Sequence, residues 1–191
     1  MDHQAPKSIS SEPIKRFYSV LALPPDDVTE RLSKLMAELR SYFGGPEFDP
    51  HVTVVGLIRL TEADALEKFA TVCEGLKAYN ATVEKVDTGT FFYQCVYLLM
   101  QQDSQVMEAA AYCWNQFGYT SSTTYMPHLS ILYGDLSDED KKKAQEEANI
   151  LDDNLADMSF LISRFALYEI EPNDDTLASW KKIIETNLQP N

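Results

Sequence analysis

The sequence predicts one α+β or α/β unit, in which strands and helices interleave along the chain. The chain has 191 residues, enough for one sizeable core or for two small lobes that share one. Its composition, 45% hydrophobic and 24% charged, is that of an ordinary soluble globular protein. Strand-like and helix-like apolar patterns alternate without a linker-like segment between them, which favours a single domain.

The polar N-terminal segment MDHQAPKSISSEPIK stands apart from that pattern. We interpret residues 1–15 as a disordered tail and place one domain over residues 16–191. The segment lacks the apolar core of a secretory signal, so we expect a cytoplasmic protein. No apolar run reaches the length of a membrane span, and no membrane partner is expected.

Four elements are predicted in the N-terminal part, alternating between strand and helix. The first strand is rich in β-branched and aromatic residues and ends at Pro24-Pro25, after which Asp26-Asp27 is expected to cap a helix. Gly44-Gly45 ends that helix, and Thr61 caps the second one. The predicted segments are residues 16–23, 28–43, 51–58 and 61–79.

The C-terminal part continues the alternation. We expect two adjacent strands, a helix ended by Gly118, a strand beginning at His128, an exposed helix capped by Ser137 and a further strand. The final segment is ambiguous between helix and strand. The predicted segments, in that order, are residues 82–89, 91–100, 104–117, 128 onward, 136–151, 160–170 and 176–188.

Charge and cysteine content limit the ligand class. The net charge is −14, and long nucleic acids bind largely through Lys and Arg, so a long strand is disfavoured as a partner while a small phosphate ester is not. Cys73, Cys95 and Cys113 form no C-x-x-C pair or Cys/His cluster, which disfavours structural zinc. Free or buried thiols are favoured over an adventitious or regulatory disulfide.

Two short segments of the chain match one another. PHVTVVG begins at Pro50 and PHLSILYG begins at Pro127, and each sets a histidine two positions before a hydroxyl residue in a predicted strand. The only other histidine, His3, lies in the predicted tail. Ser and Thr occupy 26 of 191 positions, so chance would produce both matches roughly 2% of the time. The pair is therefore a strong signal.

The spacing predicts that each histidine and its hydroxyl partner share one face of a strand. Residues i and i+2 of a strand lie roughly 7 Å apart on the same side. If the two strands face one another, His51, Thr53, His128 and Ser130 converge on a site the size of one phosphate. The alternative explanation is a buried histidine with a structural role. It is common for a single histidine, and it explains a matched pair of motifs less well.

This set of groups suits hydrolysis of a phosphodiester. One imidazole can take a proton from water while the other donates one to the leaving oxygen. The Thr and Ser hydroxyls can donate hydrogen bonds to the non-bridging oxygens, where negative charge accumulates. No carboxylate cluster accompanies the strands, so we expect neither a metal nor another cofactor.

At these motifs the sequence resembles the 2H phosphoesterase superfamily, which is defined by paired H-x-[ST] strands, and it is most similar to the plant-type cyclic phosphodiesterases. Similar stretches include FYSVLALP, GPEFDPHVTV and TTYMPHLSILYGDLSDEDKKKAQE, and the likeness extends from Phe17 onward. The resemblance implies a two-lobed α+β fold with pseudo-twofold symmetry. Antiparallel sheets would line a central cleft, with helices outside.

The resemblance also implies an activity: hydrolysis of ADP-ribose 1″,2″-cyclic phosphate to ADP-ribose 1″-phosphate, a step downstream of tRNA splicing, and opening of nucleoside 2′,3′-cyclic phosphates to 2′-phosphates. It matches His51 and His128 to the catalytic histidines, and Thr53 and Ser130 to the phosphate-binding hydroxyls. Tyr133 matches a tyrosine of the family's site. Strict alternation, however, places Tyr133 opposite His128 unless the strand ends or bulges, so packing and substrate binding both remain open for it.

Two other functions stay open. The same superfamily acts on RNA ends and on 2′,5′-linked oligonucleotides, and a non-catalytic nucleotide-binding module could retain the cleft. The expected partner is a small cyclic phosphate nucleotide, bound by a monomer. Because the two motifs are nearly symmetric, the pattern assigns neither histidine to the role of acid or base.

Overall fold

The computed structural model describes residues 12–191, so the prediction for residues 1–11 of the tail lies outside the described residues. Within the described range the chain forms eight strands and four α-helices. Their bounds are β1 Lys15–Leu23, α1 Asp26–Phe43, β2 Val52–Thr61, α2 Glu62–Gly75, β3 Tyr79–Thr88, β4 Val96–Met100, α3 Ser104–Phe117, β5 His128–Leu132, α4 Asp138–Leu151, β6 Ser159–Ile162, β7 Arg164–Glu169 and β8 Lys181–Asn187.

All eight strands belong to one sheet, in the order β6-β3-β4-β5-β2-β1-β7-β8, and neighbouring strands run antiparallel. The two central strands, β5 and β2, pair only at Val52 and Leu129. This weak seam divides the sheet into two four-stranded halves, each with one H-x-[ST] strand at the seam. The predicted two-lobed α+β fold with antiparallel sheets is confirmed.

The sheet curls so that its two ends approach. Residues 160–170 were predicted as one strand, and that prediction is wrong, because the chain turns at Ser163 between β6 and β7. These strands pair with opposite halves of the sheet, β6 with β3 and β7 with β1. Since one residue separates them, the outer edges of the two halves must lie close together.

Local capping explains most helix bounds. The hydroxyls of Thr61 and Ser137 accept hydrogen bonds from backbone N–H groups at the starts of α2 and α4, as predicted. Gly118 adopts the left-handed conformation that ends α3. The cap predicted at Asp26-Asp27 is wrong. Pro25 occupies the cap position, and both carboxylates lie in the first turn, where they interact favourably with the helix dipole.

Two further predicted segments differ from the structure, and the structure resolves a third that the sequence left ambiguous. The helix predicted to Tyr79 ends at Gly75, and Tyr79, which is buried, is the first residue of β3 instead. The run FFYQ forms a single turn of 3₁₀-helix before β4. The ambiguous segment 176–188 contains β8, which pairs along β7.

Candidate active site

The seam between β2 and β5 opens into a cleft of about 710 Å³, lined by residues of both halves. His51 lies immediately before β2, and His128 is the first residue of β5. Both histidines line the cleft, together with Thr53 and Ser130. The structure therefore brings together the four residues that the two motifs singled out, although 77 positions separate the motifs.

The two imidazoles are anchored in the same way. Nδ1 of His51 lies 2.8 Å from the carbonyl oxygen of Asp49, and Nδ1 of His128 lies 2.9 Å from that of Met126. A carbonyl oxygen only accepts hydrogen bonds, so Nδ1 must carry the proton in both rings. In the neutral form Nε2 is then unprotonated and free to accept a proton.

Burial lowers the pKa of both histidines below its usual value. For His51, the hydrogen bond to the Asp49 carbonyl opposes this effect, and the nearby charge of His128 adds to it. The Asp49 carboxylate also raises the pKa of His51. For His128, the only cause that raises the pKa is the hydrogen bond to the Met126 backbone. The two imidazoles are thus similar in anchoring and different in electrostatic surroundings.

Both motif strands carry a β-bulge directly after the hydroxyl residue. On β2, Val54 is skipped where β1 pairs with the residues before and after it. On β5, Ile131 is skipped in the same way against β4. An extra residue increases the local twist and re-aims neighbouring side chains. The pseudo-twofold relation therefore extends from the motifs to the irregularities that follow them.

The bulge at Ile131 and the end of β5 at Leu132 account for the position of Tyr133. Strict alternation no longer applies, and Tyr133 lines the cleft. Its ring also stacks on Phe48, with centroids 3.8 Å apart and planes 12° from parallel. Burial raises the pKa of its phenol well above the usual range, so the hydroxyl stays protonated as a donor. Tyr133 therefore packs in the cleft wall, and its contact with a substrate stays a prediction.

The two motif hydroxyls differ in their hydrogen bonds. Ser130 donates to the carbonyl oxygen of Tyr93 at 2.9 Å. Within residues 12–191, the Thr53 hydroxyl has no hydrogen-bond partner. Thr53 can donate to a phosphate oxygen without losing another bond, whereas Ser130 must first leave Tyr93.

The cleft contains little permanent positive charge. Of the described residues that line it, none is Lys or Arg, and Glu171 is the only one with a fixed charge. Binding of a small phosphate ester nevertheless requires local positive charge. In the described structure that charge has to come from a protonated histidine, so binding of an anion and protonation of the pair are coupled.

Several aromatic residues of the cleft were not assigned to the site from sequence. Trp180 lies edge-on to His51 with centroids 5.9 Å apart, and its Nε1 is buried without a hydrogen-bond partner in residues 12–191. Phe91 is 57% exposed at the cleft. The aromatic run at residues 91–93 was the available signal for Phe91, whereas Trp180 occurs in the segment of ambiguous structure.

Among the described residues, no group of three or more His, Cys, Asp or Glu side chains is placed to hold a metal ion. In that same range, no helix combines the length and apolarity needed to cross a bilayer. Cys73, Cys95 and Cys113 are free and buried, as favoured by their spacing. Burial raises the pKa of Cys73 and of Cys113 to about 12, so both stay as thiols at neutral pH.

Known proteins are similar to this chain over most of its length. A family described as cyclic phosphodiesterase-like protein matches residues 19–188. A cyclic phosphodiesterase of Arabidopsis thaliana is 49% identical over 176 residues, covering 92% of this chain and 97% of the relative. A cyclic phosphodiesterase of Triticum aestivum is 30% identical over 98 residues, covering 51% of this chain and 94% of the relative.

Solved structures share the fold at low sequence identity. E. coli LigT complexed with 3′-AMP superposes with a TM-score of 0.62 at 12% identity, covering 92% of this chain and 99% of that one. A structure of LigT with NADP+ gives 0.58 at 14% identity, covering 94% and 99%. The family match and the Arabidopsis relative each span most of the chain, and the chain therefore belongs to the cyclic phosphodiesterase-like family of enzymes, within the 2H phosphoesterase superfamily.

Proposed function

We propose that this enzyme hydrolyses ADP-ribose 1″,2″-cyclic phosphate to ADP-ribose 1″-phosphate, downstream of tRNA splicing, and nucleoside 2′,3′-cyclic phosphates to 2′-phosphates. The observation that carries the proposal is the convergence of two identically anchored imidazoles on one cleft. His51 and His128 act as the acid–base pair. Thr53, Ser130 and Tyr133 bind the substrate.

In the proposed reaction, the Nε2 atom of the neutral histidine takes a proton from water as the water oxygen bonds to phosphorus. The bond from phosphorus to the 3′ oxygen breaks, and the protonated histidine gives its Nε2 proton to that oxygen. The remaining P–O2′ bond gives a 2′-phosphate. Because the histidines supply acid, base and positive charge together, the scheme requires no metal.

Two features support a nucleotide as the substrate. The cleft volume lies in the range of sites that enclose small organic ligands. The related LigT structures hold 3′-AMP, ATP and NADP+, which are nucleotides of one or two bases. The site needs residues of one chain only, and the three thiols are free, which supports a monomer in a reducing compartment such as the cytoplasm.

The test is incubation of the purified protein with 2′,3′-cyclic AMP in excess EDTA, followed by chromatography of the product. We expect sustained turnover and adenosine 2′-phosphate as the only product. A parallel assay with ADP-ribose 1″,2″-cyclic phosphate should yield the 1″-phosphate. A 3′-phosphate product, or loss of turnover in EDTA that an added divalent ion restores, would contradict the proposal.

The exposed ring of Phe91 is expected to stack on the nucleobase at the mouth of the cleft. Stacking of one base on an aromatic side chain is worth about 1–3 kcal/mol, so Phe91→Ala should raise KM for 2′,3′-cyclic AMP by at least about fivefold. KM for glycerol 1,2-cyclic phosphate, which has no base, should not change.

The matched control for this variant is Tyr42→Ala. Tyr42 is another exposed aromatic residue, 65% accessible, and it does not line the cleft. Steady-state kinetics on both substrates should show no effect of this change. Equal increases in KM for the two substrates in Phe91→Ala would show that the ring does not contact the base.

A further inference from the structure

The cleft side of β2 lacks a neighbouring strand beyond the seam. After the single pair of Val52 with Leu129, β2 and β5 diverge and no longer exchange backbone hydrogen bonds. Two aromatic side chains, from α3 and from the segment before β5, hydrogen-bond to the backbone of β2 instead. The hydroxyl of Tyr125 donates to the carbonyl of Thr53 at 2.9 Å, and Nε1 of Trp114 donates to the carbonyl of Val54 at 2.8 Å.

These two carbonyls lie at the bulge of the catalytic motif. Val54 is the extra residue of β2, and Thr53 directly precedes it. A bulge interrupts the regular ladder, so the peptide planes on either side are less constrained by the sheet itself. The two aromatic donors supply the constraint that the missing strand would otherwise provide.

The contrast with Ser130 shows why this constraint matters for Thr53. The Ser130 hydroxyl is oriented by its own hydrogen bond to Tyr93. No such bond orients the Thr53 hydroxyl within the described residues, so its direction depends on the backbone that carries it. A hydroxyl that must meet a phosphate oxygen at hydrogen-bond distance is sensitive to small backbone rotations.

We propose that Tyr125 is a positioning residue, which holds the Thr53 peptide so that the Thr53 hydroxyl points at the phosphate. This inference rests on the proposed function of Thr53 as a phosphate ligand. The surroundings of Tyr125 suit the role. Its ring packs edge-on against Trp114, with centroids 5.9 Å apart and planes at 76°, which restricts the direction of the hydroxyl.

The test is a double-mutant cycle on kcat/KM for 2′,3′-cyclic AMP, built from Tyr125→Phe and Thr53→Val. Tyr125→Phe keeps the ring and removes only the hydroxyl, and we expect about a fivefold loss. In the Thr53→Val background, the same change should have no further effect, because the hydroxyl that it positions is gone. Additive losses would overturn the inference and assign Tyr125 a separate contact with the substrate.

Two controls separate positioning from a general structural effect. Tyr125→Phe should remain additive with Ser130→Ala, since the Ser130 hydroxyl is hydrogen-bonded to Tyr93 and not to Tyr125 or the Thr53 peptide. Tyr79→Phe removes the hydroxyl of a buried tyrosine that does not line the cleft, and it should leave kcat/KM unchanged. Coupling of Tyr125→Phe to Ser130→Ala as strong as its coupling to Thr53→Val would indicate distortion of the whole cleft and overturn the inference.

The same cycle is repeated on the affinity for inorganic phosphate, measured by calorimetry. This readout does not need turnover, so it tests the positioning of Thr53 even if the wild-type protein proves inactive on cyclic nucleotides. If the wild type is inactive but the two substitutions are coupled in their effect on phosphate affinity, the proposed reaction alone is refuted. An active wild type with additive cycles would refute the role of Tyr125 alone.

Discussion

His51→Ala and His128→Ala are each expected to lower kcat for 2′,3′-cyclic AMP by about one hundredfold to ten thousandfold, the usual range for loss of a positioned acid or base. Each variant removes one of the two Nε2 atoms that the cleft offers for proton transfer. No Lys or Arg among the described residues lining the cleft can replace the lost positive charge. The measurement is steady-state kinetics at the optimum pH of the wild type.

The fold should survive both substitutions. Each loses one hydrogen bond from Nδ1 to a backbone carbonyl, worth about 1 kcal/mol, which is small against the stability of a domain of this size. Circular dichroism and thermal melting therefore serve as the structural check. His3→Ala, which changes the one histidine outside the two motifs, is the matched control and should retain full activity.

The double variant provides a stricter test of the pair. Residues that act as one catalytic unit give losses that do not add, because the first substitution already removes the mechanism. His51→Ala with His128→Ala should therefore be little worse than the more damaging single change. Substantial turnover in either single variant would refute the assignment of the pair.

The motif residues were predictable from sequence because the information is local. The spacing H-x-[ST] places two side chains on one strand face, and its occurrence in both halves implied that the two faces meet. The position of Tyr133 depends in addition on the bulge at Ile131. No Gly or Pro at that position indicates the bulge in the sequence. The sequence pattern therefore defines the condition under which Tyr133 faces the cleft, but it contains no signal that the condition is met.

The second layer of the site was not predictable, because it depends on contacts between distant segments. Tyr125 reaches Thr53 across 72 positions, and Trp114 reaches Val54 across 60. Neither residue differs in the sequence from an ordinary aromatic core residue. The division between β6 and β7 is similar, since only pairing with opposite halves of the sheet distinguishes them from one continuous strand.

The plot of rate against pH should be bell-shaped, with its maximum on the acid side of neutrality. The proposed mechanism needs one histidine neutral and the other protonated, and burial lowers the pKa of both. The plot of kcat/KM against pH reports the free enzyme. The midpoints of its two limbs should therefore both lie below about pH 6.5, the ordinary pKa of imidazole. Above the upper limb, the rate should drop about tenfold per pH unit, because the acid loses its proton.

Substrate binding should move the upper limb in a defined direction. The phosphate anion stabilises the protonated histidine, so it raises the pKa of the acid in the complex. The upper limb of kcat, which reports the complex, should consequently lie at a higher pH than that of kcat/KM. KM should rise across the interval between them. A flat profile, or coincident limbs for kcat and kcat/KM, would show that the histidine charge does not contribute to binding.

Asp49→Asn can assign the two roles that the symmetric motifs leave equal. The Asp49 carboxylate raises the pKa of His51 and is not among the causes acting on His128. Removing its charge should shift one limb of the kcat/KM profile toward acid and leave the other in place. If the upper limb moves, His51 has the higher pKa and is the acid in the one-proton form that predominates between the limbs. If the lower limb moves, His51 has the lower pKa and is the base in that form. The variant keeps the Asp49 carbonyl that holds Nδ1, so the ring stays anchored while its charge environment changes.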